Sequence, residues 1–399
     1  MASARGRWWP GSPCSPMQPR KTGRQSRRAT LAGVRSSPKG WPRRRYARRM
    51  PTREQHLDRI AQKLSRDSRV SELQLRVTDR EGTLDYSWAA PGSRASHAIA
   101  SSTKTFAAVL VLRKVAAGEL TLEQPLVSIL PREHLVRLNN YGWTDRADEF
   151  TVRDILAHTS GIPNYYAQKA LDPRSDIAAV TAADKGWSYW HTLQVARQMS
   201  ATFPPHSGRA EYSFTNYQLV GRLIESVYGC SLAEALNREL FTPLGLRDTA
   251  LLTPESLHLF DTASPLLYGT QSYRGARRLA SLGAEGALIS TTADTMRFLR
   301  ALMDGEVLDP ETLELAVSDR LPLFPRVTYG VGIMALSLPR LLTRLPRPGI
   351  LLGHAGMTGH VMFADPVSGL AVVGTINQLA APRLSFRLLI GALRAARRR

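Results

Sequence analysis

The chain has 399 residues, 43% of them hydrophobic and 22% charged, with 53 Lys and Arg against 33 Asp and Glu and a formal net charge of +20. That length suits two or three structural units around a sizeable core, and that composition excludes a wholly disordered chain, a collagen and a disulfide-rich miniprotein. No apolar run reaches the roughly 18 residues that a membrane-spanning helix needs.

The charge is concentrated at the start. Residues 1–49 hold twelve Arg, two Lys and no acidic residue, a charge of +14 that leaves only +6 for the rest. The segment is rich in Arg, Ser, Pro and Gly and has no hydrophobic period. It cannot bury enough apolar surface to offset its ordering entropy, so residues 1–50 are expected to be a disordered tail. The tail reads first as an extension ahead of a start at Met50. A nucleic-acid arm and a transit peptide are the competing readings, and no apolar stretch follows the Arg pairs to make an export signal. Nucleic-acid binding is therefore expected, if at all, only through this tail. As written the sequence reads as cytoplasmic, with export left open.

From Thr52 to about Arg69, Leu57, Ile60 and Leu64 fall at helical spacing. Residues 73–77 alternate, 79–82 form a turn and 84–88 alternate again, so 73–90 predicts a hairpin. Residues 101–117 predict a helix stopped by Gly118, and 119–265 are mainly helical. After about 266 the pattern is mixed. Residues 360–365 and 370–377 flank Pro366-Val367-Ser368-Gly369 as a second hairpin, and 382–398 predict a closing helix. Strands at both ends with a helical insert between them suggest one sheet built from both ends of the folded region. The expected fold is α+β: a mixed, mostly antiparallel sheet flanked by helices, its α/β part at 51–120 and 266–399 and a mainly helical subdomain inserted at 120–265. Of the two cysteines, Cys14 and Cys230, the second is expected to be a small buried apolar residue.

Ser101-Ser102-Thr103-Lys104 lies where a helix begins. Ser101 and Lys104, three apart, share a face one turn apart. A serine at a helix start has free backbone N–H groups and the positive dipole end near it, which favours an alkoxide and an oxyanion. A lysine on that face can hold a base deprotonated, or accept a proton itself if burial lowers its pKa. The competing reading is a helix-capping serine with a surface lysine. Ser36 to Lys39 repeats the spacing and Lys21-Thr22-Gly23 supplies a related tripeptide. Both sit in the tail, in the wrong order, and read as chance.

Five blocks in order then carry a resemblance. They are Ile99 to Phe106, Ile155-Leu156-Ala157-His158-Thr159-Ser160-Gly161-Ile162-Pro163, Tyr212 to Gly221, Gly286 to Leu299, and His354-Ala355-Gly356-Met357-Thr358-Gly359. Together they resemble the serine β-lactamase-like family, in its class C β-lactamase, esterase and D-alanyl-D-alanine carboxypeptidase branch, over roughly 52–398. The resemblance implies Ser101 as acylated nucleophile and Tyr212 as general base, its phenolate favoured by Lys104. It implies backbone N–H groups of Ser101 and Met357 as the oxyanion hole, and His354 and Gly356 along an edge strand where substrate lies. His158 is expected to be structural.

One departure stands out. The third position of the tyrosine box, usually Asn or Asp in that family, is Phe214, and no Tyr-x-Asn occurs in the chain. A missing amide predicts a looser lysine and a preference for apolar esters. Gly330-Val331-Gly332 lacks the βαβ context of a dinucleotide site, and no histidine pair has metal spacing, so no cofactor and no metal are implied. The expected function is an esterase-like serine hydrolase acting through an acyl-enzyme on a small-molecule ester, amide or peptide. A β-lactamase or D-alanyl-D-alanine carboxypeptidase-type peptidase is the alternative within the enzymes, and a catalytically inactive scaffold is the alternative outside them.

Overall fold

The structure, a computed structural model, describes residues 51–167, 184–346 and 349–397. The basic tail lies outside these residues. The first helix, α1 (Arg53–Ser65), starts at a capping box: the Thr52 hydroxyl accepts from the Gln55 N–H while the Gln55 side chain accepts from the Thr52 N–H. It buries Leu57, Ala61 and Leu64.

The predicted hairpins are both present and meet. Strands β1 (Gln74–Thr78) and β2 (Asp85–Ala89) pair with Leu75 opposite Trp88. Near the other end, β12 (Val361–Ala364) and β13 (Ala371–Thr375) pair with Val361 opposite Gly374. Between them, β1 and β13 join antiparallel, Gln74 opposite Thr375. The strands β8 (Leu321–Phe324), β9 (Val327–Tyr329), β10 (Met334–Ser337) and β11 (Ile350–Ala355) extend the sheet to eight, in the order β2-β1-β13-β12-β11-β10-β9-β8. Every pairing in it is antiparallel.

Helices cover both faces, which is why β13 is buried along its whole length. One face packs on α1 and the closing helix Arg383–Ala396, through Leu57, Leu64, Leu388 and Leu389. Each such leucine contributes roughly 1.5–3 kcal/mol by leaving water. The other face packs on Thr292–Met303 and on α2 (Thr103–Ala116), the helix that follows the candidate nucleophile. A second, three-stranded sheet runs β3 (Ser96–Ala98), β7 (Leu288–Thr291), β4 (Ala250–Leu251), and it leads the chain into Ser101, while β5 (Leu267–Tyr268) and β6 (Gln271–Ser272) pair as a separate ribbon. Residues 120–265 supply helices Val152–Ala157, Tyr189–Arg197 and Phe214–Tyr228. Cys230 corrects its expectation: it is partly exposed at the end of the last of these, after the left-handed cap Gly229.

Candidate active site

The chain enters the site from β3 through a single 3-10 turn, Ala100–Ser102, before α2 begins at Thr103. Ala100 has φ of 46°, a left-handed conformation that non-glycine residues adopt at a cost of about 1–3 kcal/mol. The strain is held by packing. Gly356 lies so close that a Cβ there would meet the Ile99 carbonyl oxygen at 2.3 Å, and the Thr103 hydroxyl accepts from the Leu288 N–H. The same close approach brings the end of β11 beside Ser101.

Lys104 is fully buried. Its Nζ donates to Ser101 Oγ at 3.4 Å and to the Glu285 carbonyl oxygen at 2.6 Å. Around the rest of the ammonium stand three aromatic faces: Phe214 at 4.3 Å from the ring centroid, Tyr212 at 5.1 Å and Tyr217 at 5.3 Å. Phe214 thus meets the lysine through its ring face, where the family's amide would meet it through an oxygen. Burial pushes the Lys104 amine down to about 7, against the opposing pull of Glu285. The neutral amine is therefore well populated at neutral pH.

Burial drives the Tyr212 phenol well above the ordinary tyrosine range, with Ser101 beside it pulling the other way. Its ring packs on His158 at 4.5 Å and on Phe214 at 5.7 Å. Lys104 sits over the Tyr212 ring face, an arrangement that gives the phenolic oxygen little help in ionising. His158 is buried in a left-handed cap (φ 61°), and its Nδ1 accepts from the Ser213 N–H and the Asn216 amide. It supports the tyrosine wall.

Lys104 meets both Ser101 and Tyr212, and Gly356 lies against Ile99 and Ala100 just before Ser101, with Met357 next in the chain. The expectation for His354 is corrected. Strand β11 pairs with β10 only from Ile350 to Gly353, so at His354 its strand partner is β12 alone, and it is the side chain that departs from the expectation. The imidazole is wholly buried, with Nε2 against the Tyr329 hydroxyl at 3.1 Å and Nδ1 against the Ala355 carbonyl at 2.9 Å. Burial, then the Lys104 charge, pushes it down to about 3, so it stays neutral. It buttresses the sheet under the site and offers no face to a substrate.

With that geometry stands a match over most of the chain: the family model described as Beta-lactamase covers residues 57–395. The chain belongs to the Beta-lactamase family. It is 29% identical over 223 residues to penicillin-binding protein 4 of Amycolatopsis lactamdurans, covering 55% of this chain and 53% of that protein. Against esterase EstB of Burkholderia gladioli it is 26% identical over 307 residues, covering 70% of this chain and 76% of the esterase. Among solved structures, a D-stereospecific amidohydrolase from Streptomyces sp. superposes with a TM-score of 0.69 at 23% identity, covering 84% of this chain and 97% of that one. The chain thus spans about half of the penicillin-binding relative and three quarters of the esterase. It is a β-lactamase-fold member of a family of serine hydrolases. Among the described residues, no helix is long and apolar enough to cross a membrane.

Within this Beta-lactamase-family site, sequence reasoning missed Glu285. Its carboxyl is wholly buried, one oxygen accepting from the Tyr165 hydroxyl at 2.6 Å and from the Gln218 amide, the other without a partner. Burial raises it to about 8, with Lys104 pulling the other way. A lone acid in the run Leu282-Gly283-Ala284-Glu285-Gly286-Ala287-Leu288 was the available signal.

Proposed function

We propose that this protein is an esterase-like serine hydrolase in which Ser101 forms the acyl-enzyme and Lys104, as a neutral amine, is the base. The observation that carries the reading is the buried contact between Lys104 Nζ and Ser101 Oγ inside an aromatic box. In the first step Ser101 Oγ attacks the ester carbonyl carbon and its proton passes to Lys104 Nζ. The carbonyl oxygen becomes an oxyanion, received by the backbone N–H groups of Ser101 and Met357. Each such donor is worth about 3–4 kcal/mol in known hydrolases. The intermediate then expels the alcohol oxygen, which takes a proton from the Tyr212 hydroxyl, and Tyr212 is recharged from Lys104. Water next attacks the acyl carbon, giving up its proton to the same base, which returns it to Ser101 Oγ as the acid leaves.

This reading assigns Tyr212 as a proton relay, in place of the base that the resemblance implies. It also treats the apolar wall as the reason for an ester preference. Phe214 gives an amide substrate no hydrogen-bond partner, while an ester asks for none. The test is labelling of the protein with a serine-directed phosphonate and with a fluorescent penicillin, read by mass spectrometry beside Ser101→Ala. A phosphonate adduct at Ser101, absent in the variant, is the expected result. Penicillin labelling at Ser101 would favour the penicillin-recognising alternative, and no adduct with either probe on folded protein would favour an inactive scaffold.

A further inference from the structure

The charge outside the basic tail is itself uneven. Residues 320–399 hold eleven Arg and no Lys against a single acid, Asp365, a charge of +10. Residues 50–319 are therefore slightly acidic, at −4. The structure gathers part of the basic excess on one face.

The closing helix Arg383–Ala396 contains no acid. Its Arg383, Arg387 and Arg394, at spacings of four and seven, fall on one stripe, and all three are exposed. Exposed Arg397 extends the stripe past the last turn. Beside it runs α1. A Cβ on Gly391 would meet Ile60 Cγ2 at 3.0 Å, so the two helices touch there, and α1 exposes Arg59 and Lys63 on either side of Ile60 in the chain. Among the described residues, none of these cations forms an ion pair. Asp67, the acid that feels the Arg387 charge, is already held by Arg69 at 2.8 Å. Ordinary protein surfaces intersperse the two signs.

Apolar side chains accompany the charge. The short helix Arg340–Thr343 packs on the closing helix. Thr343 and Leu345 turn inwards, Leu345 joining the same core cluster as Leu384 and Leu388. Leu341 and Leu342 turn outwards, 88% and 40% exposed. On the closing helix itself, half-buried Phe386 and Ile390 interleave with the arginines.

We infer that this face docks the protein on a bilayer carrying anionic lipid. The arginines meet the headgroup phosphates, and Leu341 and Leu342 enter the boundary with the acyl chains. A nucleic-acid face sets amides and exposed aromatic rings among its cations, to read and stack on bases. Here the most exposed apolar side chains beside the cations are leucines. Docking also suits the catalytic box. Helix α1 and the closing helix cover one face of the eight-stranded sheet, while α2, which follows Ser101, packs on the other. The docked protein keeps the sheet between Ser101 and the lipid.

Flotation of the full chain with phosphatidylglycerol-containing vesicles, against pure phosphatidylcholine vesicles, tests the assignment. Residues 1–49 stay in place throughout, so their charge is common to every sample. The parent favours the anionic vesicles. Replacing Arg383, Arg387 and Arg394 together by Gln lowers that partitioning about tenfold or more. Leu341→Ser with Leu342→Ser lowers it several-fold, and what remains is stripped by salt more readily than in the parent. Thermal unfolding checks that each variant is folded. If the triple variant is not, Arg59→Gln with Lys63→Gln probes the same face and lowers partitioning several-fold. Equal partitioning of parent and arginine variants overturns the assignment, because the tail then does the binding. Leucine variants that partition like the parent overturn it too. So does a duplex DNA affinity that falls with the arginines while vesicle binding does not, which marks a nucleic-acid surface instead.

Discussion

Ser101 and Ser102 are neighbours in the chain and opposites in surroundings. Ser101 Oγ faces a buried lysine at 3.4 Å, at the edge of an aromatic box that keeps 6% of the residue open to solvent. Ser102 Oγ faces His360 Nδ1 at 2.8 Å, a serine–histidine pair that looks like catalytic machinery but has no exposed surface at all. Behind His360 stands His97, ring centroids 5.4 Å apart, with both His97 nitrogens and His360 Nε2 lacking partners. The lysine side can change protonation near neutral pH. The histidine side must stay neutral, because burial lowers both imidazoles. Access and a tunable base, more than a serine–base distance, separate the proposed nucleophile Ser101 from the sealed hydroxyl of Ser102.

The sharpest way to break this contrast is to remove each hydroxyl. Ser101→Ala is expected to lower ester turnover by about 10³-fold or more. Ser102→Ala should leave adduct formation at Ser101 and instead cost about 1–3 kcal/mol of stability, by orphaning His360. Activity lost equally in both, with both variants folded, would refute the contrast.

Lys104→Met comes next, with an expected loss of about 10²–10⁴-fold. In the parent, kcat/KM should climb with pH to a plateau through about 7, because only the neutral amine takes the serine proton. Burial keeps much of the Glu285 carboxyl protonated at neutral pH, and the charge it does carry holds the lysine proton on. Glu285→Gln should therefore move that limb to lower pH. A limb moved upwards, or not at all, would show that the carboxyl does not act on Lys104.

The histidine side predicts acid sensitivity. The folded His97 imidazole is pushed down to about 4, below its ordinary value near 6.5, so the unfolded chain binds the proton more readily. Its contribution is intact above about pH 6.5 and is lost progressively down to about pH 4, a loss of about 3 kcal/mol. Denaturant unfolding between pH 7 and 4 measures it, and His97→Asn should flatten the slope.

The smallest effect concerns Phe214. Its ring face on Lys104 is worth about 1 kcal/mol, so Phe214→Leu should slow ester turnover several-fold. Phe214→Asn should raise amide or β-lactam turnover relative to ester. If neither ratio moves, the ring is irrelevant to selection.

Much of this site was legible because it is local. Ser101 and Lys104 are one helical turn apart, so sequence alone put them on a common face. The two hairpins were equally legible from alternation around short turns. The helix expected at 101–117 begins at Thr103, because Ser101 sits in the preceding 3-10 turn and Ala100 is held left-handed by packing that sequence spacing does not encode. Strands such as Leu288–Thr291 went unread because all four residues are buried, which leaves no alternation. His354 was misplaced for a related reason: its imidazole is sealed between the Tyr329 hydroxyl and the Ala355 carbonyl, a burial that pattern does not show. The glycines of Gly330-Val331-Gly332 also gain their meaning only in space. A Cβ on Gly332 would meet the Ala108 Cβ at 2.0 Å, so the glycine serves close packing on α2.

The sequence by itself determined that Ser101 and Lys104 share a face, the two hairpins, the closing helix and the family, all of which rest on short-range periodicity or on ordered local blocks. Only the tertiary structure decided the environments: which serine is open, which histidines are sealed, and that an acid from residue 285 presses on Lys104. Those are matters of burial and long-range partnership. Protonation and reactivity depend on the groups that fold around a side chain, and these come from chain segments up to about 260 residues away.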